Sequence, residues 1–162
     1  MLDSLNTLLI NQSEVKHMSQ EKLFPDMKAN FFTVGYQGLT QAHFIVRLQR
    51  KGVKTLVDVR KYPMSRSVGF NKMSLSSACE IAGIKYIHEG KLGNPKSNWG
   101  NPNWRINYSR LINPEMENVI KMMNSEKQPI AFMCMEKSCK ECHREVLGKD
   151  LGRHGFIGEE IT

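Results

Sequence analysis

At 162 residues the chain suits one domain and can bury a core without disulfide staples. With 40% hydrophobic and 24% charged residues it reads as soluble and globular, and no apolar run is long enough to span a bilayer. The net charge of +7 favours anionic partners, DNA or RNA among them. That charge is unevenly placed: residues 51–72 sum to +5, residues 91–110 to +4, and the remainder to −2.

Residues 1–29 read as an arm ahead of a single α/β domain at 30–162. Leu2, Leu5, Leu8 and Leu9 fit one face of a short helix, and Pro25 stops its continuation. The start has no basic n-region, and Asp3 and Asn6 interrupt its apolar stretch, so no secretory signal is expected. Three of four cysteines crowd into nine residues, which suits reduced thiols or a metal better than a disulfide frame. A cytoplasmic protein is the expectation.

"FFTVGY" predicts a buried strand ending in Gly35. Thr40 predicts a helix cap, with Phe44, Ile45 and Leu48 on one face and Gly52 at the C-terminal stop. "VKTLVDV" is the second strand, followed by a polar loop. Ser74 is read as the cap of a second helix that Gly83 ends, and "IKYIH" as the third strand. Residues 89–113, rich in Gly, Asn and Pro, show no apolar period and predict a long functional loop. Asn113-Pro114 starts a helix with Ile120 and Met123 inward, "PIAFMC" is the fourth strand, a helix spans about 141–151, and "FIGEEI" closes as a short strand. Strands alternating with helices predict a three-layer, Rossmann-like α/β sandwich with a mainly parallel sheet of about five strands.

Ligands of such sheets bind beyond the C-terminal strand ends. That rule selects Tyr36, then Asp58 and Arg60, then His88, then Cys134 and Glu136. The loop "CMEKSCKECHRE" adds Cys139, Cys142, His143 and Arg144. Three chemistries compete for it. Cys134, Cys139, Cys142 and His143 could chelate zinc, although adjacent Cys142 and His143 diverge if both are helical. Cys134, at a strand end before a helix, sits where a nucleophilic thiolate would be, but Lys140 rather than arginine stands six positions on. Arg144, with Arg60 and Arg66, could grip an anion. The bland alternative is that the thiols are small buried hydrophobes.

Asp58 needs a cationic partner, Arg60 or Arg144, and serves either as a catalytic or His143-orienting carboxylate or as a loop-pinning salt bridge. Glu136 and His143 are the acid–base candidates. Trp99, Trp104 and Tyr108 among Lys96, Arg105 and Arg110 suit base stacking and phosphate contacts, or simply pin the loop.

"TVGYQGLT", "GVKTLVDVRKYPMSRSVGFN", "GIKYIHEGKLGN" and "CMEKSCKECHRE", in that order, resemble the DUF488 family from about Thr33 to Ile161. The pattern falls on Gly35 and Tyr36; Asp58, Arg60, Pro63 and Ser65; Leu92 and Gly93; and Cys134, Glu136, Cys142, His143 and Arg144. Cys139 stands outside it, which counts against zinc. The resemblance implies a fold and a site but carries no reaction. The reading is therefore a hydrolase or group transferase acting on an anionic substrate, possibly a nucleotide or nucleic acid. Its rival is a non-catalytic nucleic-acid-binding module with a structural or metal-binding Cys/His loop.

Overall fold

The computed structural model describes residues 29–162, so the reading of an N-terminal arm lies outside the described residues. Five strands, β1 (Phe31–Gly35), β2 (Thr55–Asp58), β3 (Lys85–His88), β4 (Ile130–Cys134) and β5 (Gly158–Ile161), form one sheet in the order β3-β2-β4-β1-β5. Every pairing is parallel. Five α-helices accompany them among the described residues: α1 (Gln41–Arg50), α2 (Lys72–Ile81), α3 (Trp104–Ile112), α4 (Met116–Ser125) and α5 (Arg144–Arg153). None is long and apolar enough to cross a membrane.

The period of two along each strand sorts the core into two layers. Phe31, Val57, Ile130, Phe132 and Cys134 face α3, α4 and α5, where Tyr108, Ile112, Val119 and Leu147 meet them. Phe32, Val34, Leu56, Ala131 and Met133 face α1 and α2 and pack on Phe44, Leu48, Leu75 and Cys79. This is the three-layer sandwich expected. The central strands β1 and β4 are buried along their whole length, as parallel strands covered on both faces must be.

The chain leaves β1 and β2 for one face of the sheet and β3 and β4 for the other. Because β4 lies between β1 and β2, connections diverge to opposite faces beyond the C-terminal ends of these neighbours. Such a reversal opens a crevice at the strand ends.

Several local expectations hold. Thr40 caps α1, its hydroxyl accepting from the His43 amide at 3.2 Å. Gly52 and Gly83 follow α1 and α2, each with φ 69°. Three need correction. The cap of α2 is Asn71, whose Oδ1 accepts from the Ser74 amide at 2.9 Å, so the helix begins two residues before Ser74. The segment 89–113 is not one loop: it contains α3 and two 3-10 turns. Its apolar stripe is only one residue wide per turn, with Tyr108 and Ile112 alone buried, which is why no period was evident. Finally, α5 begins at Arg144 rather than near Glu141. A 3-10 turn (Cys139–Glu141) precedes it, and Cys142 is extended, with φ −127° and ψ 154°.

Candidate active site

The late start of α5 decides the geometry of the cysteine loop. With Cys142 extended and His143 already turning into the helix, the two side chains converge instead of diverging. Cys142 Sγ lies 3.6 Å from His143 Nδ1. Cys134 points to the same face at the end of β4, 3.9 Å from the same nitrogen. All three residues are buried.

The other ring nitrogen fixes the tautomer. His143 Nε2 lies 3.1 Å from the Val59 carbonyl oxygen, which can only accept. Nε2 therefore carries a proton, and Nδ1 presents either a lone pair or a second proton to the sulfurs. Tyr108, its hydroxyl donating to the Leu92 carbonyl at 2.7 Å, packs its ring 5.1 Å from the imidazole and holds it from the side.

Arg144 is fully buried behind this cluster. Its Nε donates to Cys142 Sγ at 3.3 Å and its Nη2 to the Glu136 carbonyl. Its Nη1 has no partner among the described residues, nor does the buried Glu136 Oε2.

Electrostatics separate the two thiols. Burial pushes the Cys142 thiol up, but donation from Cys134 and His143, with the charges of His143 and Arg144, outweighs it and holds the group well below the usual thiol range. Burial works against a charged His143, and its contact with Cys142 outweighs that, leaving the imidazole raised. Cys134 moves the other way: its hydrogen bond to Cys142 keeps it a thiol, and burial adds to the effect. Burial and the charge of Cys142 also raise Glu136. These directions are those that favour a Cys142 thiolate beside a His143 imidazolium, with Cys134 kept as the thiol.

Asp58 belongs to a different layer. Its position on β2, one residue past Val57, sends it to the α1/α2 face, away from His143. There its carboxylate takes the Arg60 guanidinium in a fork, with Nε to Oδ1 at 2.8 Å and Nη2 to Oδ2 at 2.5 Å. Tyr86 donates to Oδ2 at 2.6 Å. Arg60 Nη1 also donates to the Phe70 carbonyl at 2.7 Å and to the Tyr36 hydroxyl at 3.2 Å. Tyr36 in turn stacks on Phe70 at 4.2 Å and reaches Ser65 Oγ at 3.1 Å. Of the two roles read for Asp58, the geometry is that of the loop-pinning salt bridge, and Val59, not Asp58, orients His143.

A cavity of about 550 Å³ opens over these two networks at the strand ends. Tyr36, Arg60, Trp99, Trp104, Cys134, Glu136, Cys142 and His143 line it, all of them singled out in the sequence. Asp58, Arg66, His88, Arg105 and Arg144 do not line it. His88 Nε2 contacts the Arg60 carbonyl at 3.0 Å. Arg105 pairs with Glu145 at 2.9 Å and lies 4.5 Å over the ring of Trp104, while Arg66 is exposed. Tyr108 is wholly buried, so it pins the segment and offers no face to a base.

Sequence reasoning missed Lys61, Tyr62, Asn94, Asn98 and Glu141 in the wall. The Asn repetition in "GNPKSNWGNPNW" was the available signal: Asn98 Nδ2 donates to Asn94 Oδ1 at 2.8 Å and to the Trp104 carbonyl at 3.0 Å, building the wall from inside. Two glycines let the walls close. A Cβ on Gly35 would stand 1.8 Å from the Glu136 carbonyl oxygen, and one on Gly93 would stand 2.2 Å from the Lys61 amide nitrogen.

Cys134, Cys142 and His143 place their donor atoms within 4.8 Å of one another, a set that could hold a soft divalent cation. Cys139 is not in that set; its amide donates to Glu160 Oε1 at 2.5 Å on the β5 side. The four-ligand C-x4-C-x2-C-H arrangement is therefore not assembled.

A family model described as a domain of unknown function, DUF488, matches residues 40–151. No curated protein and no solved structure matches the chain.

Proposed function

The chain belongs to the DUF488 family, whose description names no reaction, and from its own residues we propose a thiol-dependent hydrolase or group transferase acting on an anionic substrate, a nucleotide or nucleic acid. One observation carries the reading: His143, its Nε2 tied to the Val59 carbonyl, aims Nδ1 at Cys142 Sγ in the wall of a cavity. That is the relation of a nucleophile to its acid–base partner, with a third group orienting the base.

The nucleophile is Cys142 and not Cys134, to which the strand-end position pointed: the hydrogen bond to Cys142 and burial raise Cys134, which stays beside it as a neutral donor. The Cys142 thiolate attacks the electrophilic centre and forms a covalent S-linked adduct as the bond to the leaving group breaks. The His143 imidazolium gives its Nδ1 proton to that leaving group. Neutral His143 then takes a proton from water, or from an acceptor hydroxyl, as that oxygen displaces Cys142, restoring the ion pair. Arg144 steadies the thiolate from behind. Arg60 is committed to Asp58 and serves as a wall, leaving Lys61 and Lys96 as the cations available to an anion.

Alkylation with iodoacetamide across pH, read by mass spectrometry, tests this. Cys142 is expected to label first and to stay reactive below neutral pH. A Cys142 that labels no faster than a free thiol at neutral pH sinks the nucleophile.

A second reading is favoured by the three clustered donors: a nucleic-acid-binding module whose Cys134/Cys142/His143 cluster is structural and holds zinc. Metal analysis of untagged protein separates the two. Stoichiometric zinc that blocks alkylation supports the module, and absence of metal removes its zinc form.

A further inference from the structure

The two most basic stretches, residues 51–72 and 91–110, are separated in sequence by most of α2 and by β3, yet both wall the same cavity. Their cations are not equivalent. Arg60 is spent on Asp58, Lys91 pairs with Glu115 at 3.4 Å, and Arg105 pairs with Glu145 at 2.9 Å. Lys61 and Lys96, both lining the cavity, have no ion pair among the described residues. Arg66, Lys72 and Arg110, exposed on the same two stretches, have none either.

Large apolar side chains cluster at the same place. Trp99 is 65% exposed and Tyr62 62% exposed, and both line the cavity together with the exposed Met64 and Met135. Rings of that size are normally covered, and an apolar rim at a cavity mouth marks a surface waiting for a ligand. Trp104 already carries Arg105 on its face, so Trp99 and Tyr62 are the open rings. Two acids share the wall, Glu136 and Glu141, and burial pushes Glu136 towards its neutral form.

Unpaired cations beside open aromatic rings suit a ligand with both phosphates and planar bases. Resting on the reading of the cavity as a substrate site, we propose that it takes a single-stranded nucleic acid: one base enters against Trp99 and Tyr62, and the flanking phosphates lie on Lys61 and Lys96. A base stacked inside a duplex cannot reach Cys142 without leaving the stack, which costs a few kcal/mol and favours a strand already single. A mononucleotide brings phosphate to one side of its base only, whereas a strand brings one on each side, to Lys61 and to Lys96.

The test uses the full chain carrying Cys142→Ser, so that binding is read without turnover. Fluorescence anisotropy with labelled oligothymidylate and oligouridylate, a duplex of equal length, and competing thymidine and uridine monophosphates is recorded over a salt series. The strand is expected to bind about tenfold or more tighter than duplex or monophosphate, with affinity falling as salt rises. Trp99→Ala should weaken strand binding about tenfold or more, and Lys61→Ala and Lys96→Ala should each flatten the salt slope by about 0.7. All three side chains are exposed, so these variants keep the core intact. Absence of strand binding, duplex binding as tight as strand, monophosphate binding as tight as strand, or a Trp99→Ala variant with unchanged affinity each overturns the proposal. Because the thiol is absent throughout, failure of Cys142 as nucleophile leaves this result standing, and failure here leaves the alkylation result standing. Preference between the two oligonucleotides reports DNA against RNA.

Discussion

His143 Nε2 donates to the Val59 carbonyl at 3.1 Å, joining the first turn of α5 to the end of β2 across 84 positions of sequence. This contact fixes which ring nitrogen faces the sulfurs, so the acid–base state of Cys142 depends on a backbone oxygen from another strand. His143→Ala removes both the proton partner and the charge that hold the Cys142 thiol down. The alkylation profile of Cys142 should then move up towards that of an ordinary thiol near 8.5, losing about tenfold in rate per pH unit below it. Wild type should show no such fall near neutral pH, because its thiol lies below the usual range and its imidazole above. An unchanged profile in His143→Ala would remove the dyad.

Cys134 and Cys142 are predicted to behave oppositely. At slightly acidic pH, alkylation should mark Cys142 and leave Cys134 unmodified, because the neighbouring thiolate and burial both raise Cys134. Cys134→Ala removes one donor to the Cys142 thiolate and should shift its profile upward, by less than His143→Ala does, since Arg144 and His143 remain. Peptide mapping of both variants checks the order.

Asp58 is fully buried and Arg60 nearly so. Asp58→Asn leaves an uncompensated guanidinium beneath the cavity and should cost about 3–5 kcal/mol, read as a lower urea midpoint. Cys142 lies on the opposite face of the sheet, so its alkylation profile in the folded variant should be that of wild type. A stability loss under 1 kcal/mol would show that the pair is not the clamp its geometry describes.

Gly35→Ala puts a methyl group into the Glu136 carbonyl, and Gly93→Ala puts one into the Lys61 backbone. Neither obstacle is a flexible side-chain end, so each substitution should cost about 1–3 kcal/mol or more and lower Tm. Gly35→Ala should also slow Cys142 alkylation at neutral pH, because the displaced Glu136 carbonyl is the acceptor that anchors Arg144.

Much of the architecture was legible because its causes are local. Thr40 accepts from an amide three residues on, Gly52 and Gly83 stop their helices, and β1 and β4 announce themselves as apolar runs. Where two causes competed locally the outcome was not legible. Asn71 and Ser74 are both good caps, and Asn71 wins because its carbonyl reaches the Ser74 amide. The single-residue stripe of α3 is too narrow to stand out among asparagines and arginines, and it becomes a helix because Tyr108 and Ile112 have a sheet to pack on.

By itself the sequence determined the alternation of strands and helices, the parallel sheet, and the set of loops in which chemistry could occur, since periodicity, capping and charge act over a few residues. The tertiary structure alone decided how those loops share their residues. Strand order brought residues 60–64 and 94–104 to one cavity, and the period of two sent Asp58 to Arg60 on one face and His143 to Val59 on the other. The extended Cys142 then turned two neighbouring side chains onto one point, separating Cys142 from Cys139 and lowering its thiol while Cys134 is raised. Those outcomes depend on contacts between residues far apart in sequence, and no local pattern encodes them.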